Sequence, residues 1–389
     1  MADLKEMILS KLPHGKETLQ EIKDCRKNGH DYRLEKGRAE KIIKKYHPHD
    51  MELKVSEIIE VNKDAKTFRF VAVDGALPVF QAGQYINVFV EIDGVRTSRP
   101  YSLSSSPRQR AYYEITVARI ATGFVSDFFL DKVKVGDVFT ANGPAGVFYY
   151  NPVFHSKKQV FIAGGSGITP FVSMSREIFG AELDREIHLI YGCRNEEAVF
   201  FKAELEDMAA RHANFKFSLV LSEPCEGYKG LTGFITAECI KDIVGDIADK
   251  TYYICGPQIM NDFVVEALGK LDVDHRMIRR EMFGARQDIN NEPGWPAELT
   301  GKETFKVIIN DGEKEINAFS GESLLTALER SGVRINVCCR SGECSLCRIQ
   351  LVDGKVFMPR GVLLRHADEK FGYIHSCKAY PITDVSIYI

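Results

Sequence analysis

The sequence predicts a multidomain chain in which an antiparallel β-barrel is followed by an α/β domain with a parallel sheet and then by a smaller α+β domain, behind a short helical N-terminal extension. Three observations predict it. Period-two runs of β-branched and aromatic residues give way, after Asn151-Pro152, to strands alternating with helical patterns. A polar Pro- and Gly-rich stretch without periodicity then interrupts the chain. Four of the ten cysteines finally crowd into one short loop. These shifts place boundaries at 1–50 (helical extension), 51–152 (barrel), 153–284 (α/β domain), 285–302 (linker) and 303–389 (α+β domain).

A chain of 389 residues exceeds one ordinary core, given roughly 100–200 residues per domain. A formal charge of -3 with 44% hydrophobic residues describes a globular protein with no electrostatic reason to bind nucleic acid. No apolar run approaches the roughly 18 residues of a membrane-spanning helix. The opening Met1-Ala2-Asp3-Leu4-Lys5-Glu6 lacks the basic and apolar regions of a secretory signal. We therefore expect a cytoplasmic protein without membrane insertion, whose clustered cysteines serve as metal ligands rather than disulfides.

Amphipathic spacing predicts helices over Glu17 to Arg26 and Arg38 to Tyr46. Alternation then predicts strands over Leu53 to Ile59, Thr67 to Val73, Tyr85 to Ile92, Tyr112 to Val117 and Val138 to Ala141, with a helix over Phe124 to Leu130. Beyond Pro152, strands over Gln159 to Ala163, Ile187 to Tyr191, Phe217 to Leu221 and Tyr252 to Cys255 alternate with a helix that follows the turn ending in Pro170, one from Ala198 and one from Gln258 to Leu271. Such alternation gives a parallel sheet covered on both faces. Its ligands bind at the carboxyl ends of the strands. In the last domain Phe305 to Ile309 and Lys314 to Phe319 form a hairpin across Asn310-Asp311-Gly312, a helix over Glu322 to Arg330 is capped by Gly332, and Val385 to Ile389 closes the sheet.

The cysteine loop carries the strongest chemical signal. Cys339, Cys344 and Cys347 have the spacing C-x4-C-x2-C, and Cys377 stands further on. This is the plant-type arrangement that holds a [2Fe-2S] cluster. Gly342, Ser341 and Ser345 let the loop coil and turn backbone N–H groups toward the sulfurs, which tunes the potential. A four-thiolate zinc site is the alternative, but it would use two C-x2–4-C pairs, and Cys377 stands alone. Cys338 is left as a buried neighbour of the cluster, and Cys25, Cys193, Cys225 and Cys239 read as packing residues.

Three other motifs have chemical content. Arg99-Pro100-Tyr101-Ser102 ends a barrel strand, where a guanidinium can grip phosphate, a ring can stack on a flat group and a hydroxyl can donate to a ring nitrogen. Gly123-Phe124-Val125-Ser126 opens a helix whose first amides suit a pyrophosphate. Gly164-Gly165-Ser166-Gly167-Ile168-Thr169-Pro170 lies between a strand and a helix, and Cys255-Gly256-Pro257 ends another strand at the same sheet edge.

In this order the motifs, over about residues 53 to 389, resemble the ferredoxin–NADP reductase superfamily with a C-terminal plant-type ferredoxin domain of β-grasp fold. The resemblance implies an NADH-dependent iron–sulfur flavoprotein reductase that passes electrons to a protein acceptor, an oxygenase or another redox protein, with a non-autonomous electron-transfer subunit as the alternative. It implies that Arg99, Pro100 and Tyr101 hold the flavin, that Ser102 bonds near N5, and that Gly123, Val125 and Ser126 hold the pyrophosphate of FAD, with FMN still open. Gly164, Gly165, Gly167 and Thr169 would receive the dinucleotide, beside Cys255, Gly256 and Pro257. Glu281 and Phe283 of Glu281-Met282-Phe283 would close the reacting site with Ser102 and Cys255. Glu223 favours NADH over NADPH, because its carboxylate repels a 2′-phosphate and accepts from a ribose hydroxyl; Arg194 and Lys229 stand close by in sequence. Cys339, Cys344, Cys347 and Cys377 are the implied cluster ligands.

Overall fold

The computed structural model describes residues 8, 10–27, 42–43, 50–120, 123–282 and 289–389. The chain forms two compact units, Met1–His49 and Asp50–Ile389. In the first, helix α1 (Gly15–Lys27) contains the expected helix over Glu17 to Arg26. His14 Nδ1 lies 2.8 Å from the Glu17 carboxylate at its start. Apart from Ile42 and Ile43, the expected helix over Arg38 to Tyr46 falls outside the described residues.

The second unit begins with strands β1 (Met51–Asn62), β2 (Ala65–Ala72), β3 (Tyr85–Ile92), β4 (Val95–Ser102), β5 (Tyr113–Ala118) and β6 (Val138–Ala145). They form an antiparallel sheet in the order β4-β3-β6-β1-β2-β5. A bridge between Leu103 and Ile115 joins its two edges into a barrel. The inward residues of the alternation, among them Leu53, Val55, Phe68, Phe70, Ile86 and Val88, share one buried core. Helix α2 (Phe124–Asp131) sends Val125, Phe129 and Leu130 into that core. There Phe129 stacks on Phe139 with ring centroids 5.3 Å apart.

The next strands, β7 (Lys158–Gly164), β8 (Glu186–Cys193), β9 (Phe215–Leu221), β10 (Leu231–Thr232), β11 (Thr251–Cys255) and β12 (Ile278–Glu281), form a parallel sheet in the order β10-β9-β8-β7-β11-β12. Helices α3 (Thr169–Gly180), α4 (Lys202–Arg211), α5 (Ala237–Val244) and α6 (Gln258–Lys270) accompany it. Strand β7 reads as a continuous apolar run because both of its faces are buried. Phe161 and Ala163 enter one core with Phe171 and Leu205, whereas Val160 and Ile162 enter another with Ile240 and Val264. The strand order reverses between β7 and β11, which makes their carboxyl ends the crevice for a ligand. The helix expected from Ala198 starts later, at Lys202. Asn195 instead caps one 3-10 turn over Glu196–Ala198, and Phe201 adopts a left-handed φ of 57°. Strand β12 escaped the sequence reading because Ile-Arg-Arg-Glu lacks an apolar alternation.

Arg176 of α3 ties this domain to the barrel. Its guanidinium donates to Glu114 of β5 at 2.7 Å, to the Ser104 carbonyl at 3.0 Å and to Glu204 of α4. Arg69 grips the other oxygen of the buried Glu114 carboxylate, also at 2.7 Å.

The C-terminal domain contains β13 (Thr304–Ile309), β14 (Lys314–Phe319), helix α7 (Leu324–Arg330), β15 (Arg348–Asp353), β16 (Val356–Phe357), helix α8 (His366–Lys370), β17 (Tyr373–His375), β18 (Tyr380–Pro381) and β19 (Val385–Tyr388). Its main sheet is mixed, in the order β14-β13-β19-β15-β17, because β13 and β19 run parallel. Ser323 caps α7, and Gly332 follows it with a φ of 73°, the left-handed position expected of a glycine cap. The described part of the expected linker packs on this domain. Trp295 lies edge-on to Phe357 and Tyr380, and its indole N–H donates to the Leu299 carbonyl. Among the described residues, no helix is long and apolar enough to cross a membrane.

Candidate functional site

Strand β4 delivers Arg99, Pro100, Tyr101 and Ser102 to one end of the barrel, where hydrogen-bond register sets Ser102 opposite Tyr85 and Tyr101 opposite Ile86. Arg99 donates to the Ser98 carbonyl at 2.7 Å and to Thr97 Oγ1 at 3.0 Å. Burial, reinforced by the neighbouring Arg340 cation, pulls its guanidinium down to about 10. An anion beside Arg99 would offset that repulsion. At the start of α2, the buried Ser126 hydroxyl has no hydrogen-bond partner among the described residues, and a side chain on Gly123 would come within 2.0 Å of it. That bare turn, with its free first amides and orphaned hydroxyl, fits a pyrophosphate group. Val125, by contrast, spends its side chain in the barrel core, so only its backbone can serve a ligand.

Three of the four residues that the resemblance places at the reacting site, Ser102, Cys255 and Glu281, come together. Glu281, at the end of β12, pairs in register with Cys255 at the end of β11. The Ser102 hydroxyl reaches across from the barrel and donates to Glu281 Oε2 at 3.5 Å. Burial holds the Glu281 carboxyl well above the usual range, with Glu343 adding to the shift and Ser102 opposing it. Cys255 is 1% exposed, and burial, with the Glu281 charge, raises its thiol. The thiol is thus enclosed rather than facing an open crevice. Phe283 lies outside the described residues.

At the switch point the two glycine turns interlock. A Cβ on Gly167 would lie 2.2 Å from the Cys255 carbonyl oxygen, and one on Gly164 would lie 2.3 Å from Met260 Sδ and 3.1 Å from Pro257. A Cβ on Gly256 would sit 3.1 Å from Gly164. Gly165 differs: with a φ of 52° and nothing among the described residues within 4 Å of its Cβ position, it has the open backbone. Thr169 turns its hydroxyl back to the Ser166 carbonyl at 3.1 Å. At the far end of the same edge the Glu223 amide donates to the Arg194 carbonyl at 2.7 Å, and their side chains approach to 3.8 Å in solvent. Sequence reasoning missed Glu196, whose carboxylate accepts from the amide and thiol of Cys225 on this rim. Cys225 and Cys25 are exposed, so neither is the packing residue expected; no spacing announced the Glu196 contact.

The cysteine loop follows β-grasp helix α7. Arg340, Gly342 and Ser345 take positive φ angles and coil it, while the Ser341 and Cys344 amides each donate to Cys339 Sγ at 3.4 Å. Among the described residues, no group of three or more Cys, His, Asp or Glu gathers as a single metal ion requires. The four cysteines instead form two pairs. The Cys344 thiol and the two amides lower Cys339, and the Cys377 thiol lowers Cys347, while each donor thiol rises in turn. Two coupled thiol pairs, Cys339 with Cys344 and Cys347 with Cys377, fit the two irons of a [2Fe-2S] cluster.

The loop is seated on the barrel. Asn87 of β3 and Asn142 of β6 both donate to the Val337 carbonyl, at 3.1 and 3.2 Å. Arg340 forms a buried ion pair with Glu329 of α7 and donates to Thr97 Oγ1 at 3.1 Å, while the Thr97 hydroxyl donates to Glu329 at 2.9 Å. The spare thiol Cys338 is 3% exposed, points at the Tyr85 hydroxyl, and is pushed up to about 12 by burial.

Known proteins match each of these parts. Residues 52–150 match the model of the oxidoreductase FAD-binding domain, 161–266 that of the oxidoreductase NAD-binding domain, and 307–381 that of the 2Fe-2S iron–sulfur cluster binding domain. The glycine betaine monooxygenase reductase subunit of Pseudomonas aeruginosa is 29% identical over 342 residues, covering 85% of this chain and 93% of the relative. NADH-cytochrome b5 reductase 1 of Dictyostelium discoideum is 33% identical over 208 residues, covering 52% of this chain and 71% of the relative. The structure of phthalate dioxygenase reductase superposes with a TM-score of 0.66 at 25% identity, covering 87% of this chain and 98% of that one.

Proposed function

The chain belongs to the ferredoxin–NADP reductase superfamily, among the iron–sulfur flavoprotein reductases with a C-terminal [2Fe-2S] domain, and on that premise we propose that it is the reductase component of an oxygenase system. When bound, the cofactors supply the redox chemistry: hydride moves from NADH to FAD, and electrons then leave one at a time through the cluster to a protein acceptor.

The chain's own residues bind, orient and seal. Arg99 and the Ser126 turn hold phosphate, and Pro100 and Tyr101 support the flavin. Gly164, Gly165, Gly167 and Thr169, with Gly256 and Pro257, shape the turn that receives the dinucleotide. Glu223 selects NADH by charge. Ser102, Glu281 and Cys255 exclude water from the reacting edge. Cys339 and Cys344 would hold one iron, Cys347 and Cys377 the other.

The observation that carries this reading is the seating of the cysteine loop on Thr97 and Ser98 of the same strand that bears Arg99, Tyr101 and Ser102. Two relatives named as monooxygenase reductase components, one for glycine betaine and one for 3-ketosteroids, support an oxygenase as acceptor. Affinity capture with the tagged holoprotein, followed by NADH oxidation with each captured protein, tests it. An oxygenase that turns over its substrate only with this chain and NADH is the expected result; NADH oxidation coupled solely to a non-oxygenase partner would overturn it.

A further inference from the structure

Tyr85 and Cys338 have no part in the chemistry above, yet together they fill the space between the two cofactor sites. Tyr85 stands on β3 directly opposite Ser102. Its ring passes beneath Gly146, where a Cβ would come within 2.8 Å of Cε1. At its far end the hydroxyl lies 3.9 Å from Cys338 Sγ, one residue before Cys339. Tyr85, Cys338 and Cys339 form one buried cluster, against which Ala145 and Cys344 pack. A continuous column of packed atoms therefore runs from the strand pair of Ser102 to the Cys339–Cys344 pair.

The column is shut by polar contacts that are complete only when the domains touch. Glu329 and Arg340 both belong to the ferredoxin domain, but their remaining hydrogen bonds go to Thr97 and Ser98 of the barrel. Side-chain exposures of 7% and 10% show that the pair is dry in this seat. A buried pair stripped of one member leaves an uncompensated charge. Here that charge would be Arg340, beside Arg99.

We propose that the Tyr85–Cys338 contact is the crossing by which electrons pass from the flavin to the cluster, and that the Arg340–Glu329–Thr97 clamp holds it closed. Each crossing removes one electron from the reduced flavin and converts one ferric iron of the cluster to ferrous, while Tyr85 and Cys338 keep all their atoms and protons. Tunnelling falls off exponentially with the width of an unfilled gap, so the ring's packing, not its hydroxyl, is the requirement. The proposal rests on the reductase reading, and Tyr85 acts as a positioning residue.

The test uses holoenzyme of wild type, Y85F, Y85L and E329Q. Stopped-flow absorbance with NADH separates flavin reduction from the cluster reduction that follows, and mass spectrometry after iodoacetamide treatment reports whether Cys338 is open. Y85L and E329Q should expose Cys338 to alkylation and measurably slow the cluster phase, with the flavin phase retained. Y85F should match wild type in both readouts. A Y85L or E329Q enzyme whose Cys338 is alkylated while its cluster phase keeps the wild-type rate would overturn the crossing. Should Y85L fail to load its cofactors, E329Q alone decides. Wild-type protein whose flavin is not reduced by NADH would instead overturn the reductase reading itself.

Discussion

Replacing Gly167 with alanine probes how the nucleotide crevice is built. The new Cβ would sit 2.2 Å from the Cys255 oxygen, 2.5 Å from its carbonyl carbon and 2.7 Å from Gly256 Cα. Non-bonded carbon atoms prefer about 3.5–4.0 Å, so the two turns must part by roughly 1 Å or more. All three obstacles are backbone atoms and cannot rotate away. Overpacking of this kind costs about 1–3 kcal/mol, and the rigidity of both turns places G167A near 3. For a domain of this size, about 2–4 °C of Tm per kcal/mol converts that to a fall of roughly 6–12 °C. The same separation moves the Gly165–Ile168 turn away from Cys255-Gly256-Pro257, so KM for NADH should rise while the visible spectrum of barrel-bound flavin stays unchanged. Thermal unfolding by circular dichroism and steady-state NADH kinetics measure the two effects. G165A is the control: its Cβ meets nothing among the described residues within 4 Å, leaving only the left-handed backbone penalty of about 1–2 kcal/mol. A G167A enzyme with the Tm and KM of wild type would refute the interlocked turns.

Three further outcomes follow from the packing and the charges. C338S should keep the iron content and visible absorption of the cluster, whereas C377S should lose them; loss in C338S would overturn the ligand set Cys339, Cys344, Cys347 and Cys377. E114A leaves Arg69 and Arg176 without the buried carboxylate that joins them and should cost about 3–5 kcal/mol by chemical denaturation; a loss under 1 kcal/mol would show that the arginines find solvent. Burial, with Lys216 nearby, pulls His188 down from 6.5 to about 4. Between those values the unfolded chain binds a proton that the folded chain does not, so stability is full above about 6.5 and declines as pH falls toward about 4. H188Q should flatten the pH dependence of Tm across that window, and a slope equal to wild type would assign it to other groups.

Much of the fold was legible because its periods are clean. Alternation at the start of the Leu53 to Ile59 run, where Leu53 and Val55 are buried and Lys54 and Ser56 exposed, and the unbroken apolar run of Gln159 to Ala163 correspond to a barrel wall with one wet face and a central strand with none. The reading failed where neighbours, not local pattern, decide the structure. Ile-Arg-Arg-Glu is a strand because β11 offers it a free edge, and Ala198 does not start a helix because Asn195 caps a 3-10 turn in front of it. The site divides similarly. Ser102 and Cys255 stand out as parts of short motifs, but nothing local says that both reach Glu281 across 179 and 26 residues of sequence. Gly167 stands out in its motif, but nothing local says that the backbone of Cys255 and Gly256 crowds its Cβ position.

Cys338 was legible only as a leftover thiol, and its position gives the loop a direction. On one side Val337, Cys338, Cys339 and Arg340 are buried against β3, β4 and β6. On the other, Ser345 is partly exposed and Leu346, between two proposed ligands, is 50% exposed. We infer from this burial a dry entrance for electrons on the barrel side and an accessible exit at Ser345 and Leu346. An acceptor can dock on the exit without disturbing the clamp at Arg340. Introducing a charge at the exit with L346E should therefore weaken transfer to the protein acceptor and leave NADH-driven cluster reduction at its wild-type rate in stopped flow. If L346E slowed both steps together, entrance and exit would share one face of the loop, and the separation argued from burial would be lost.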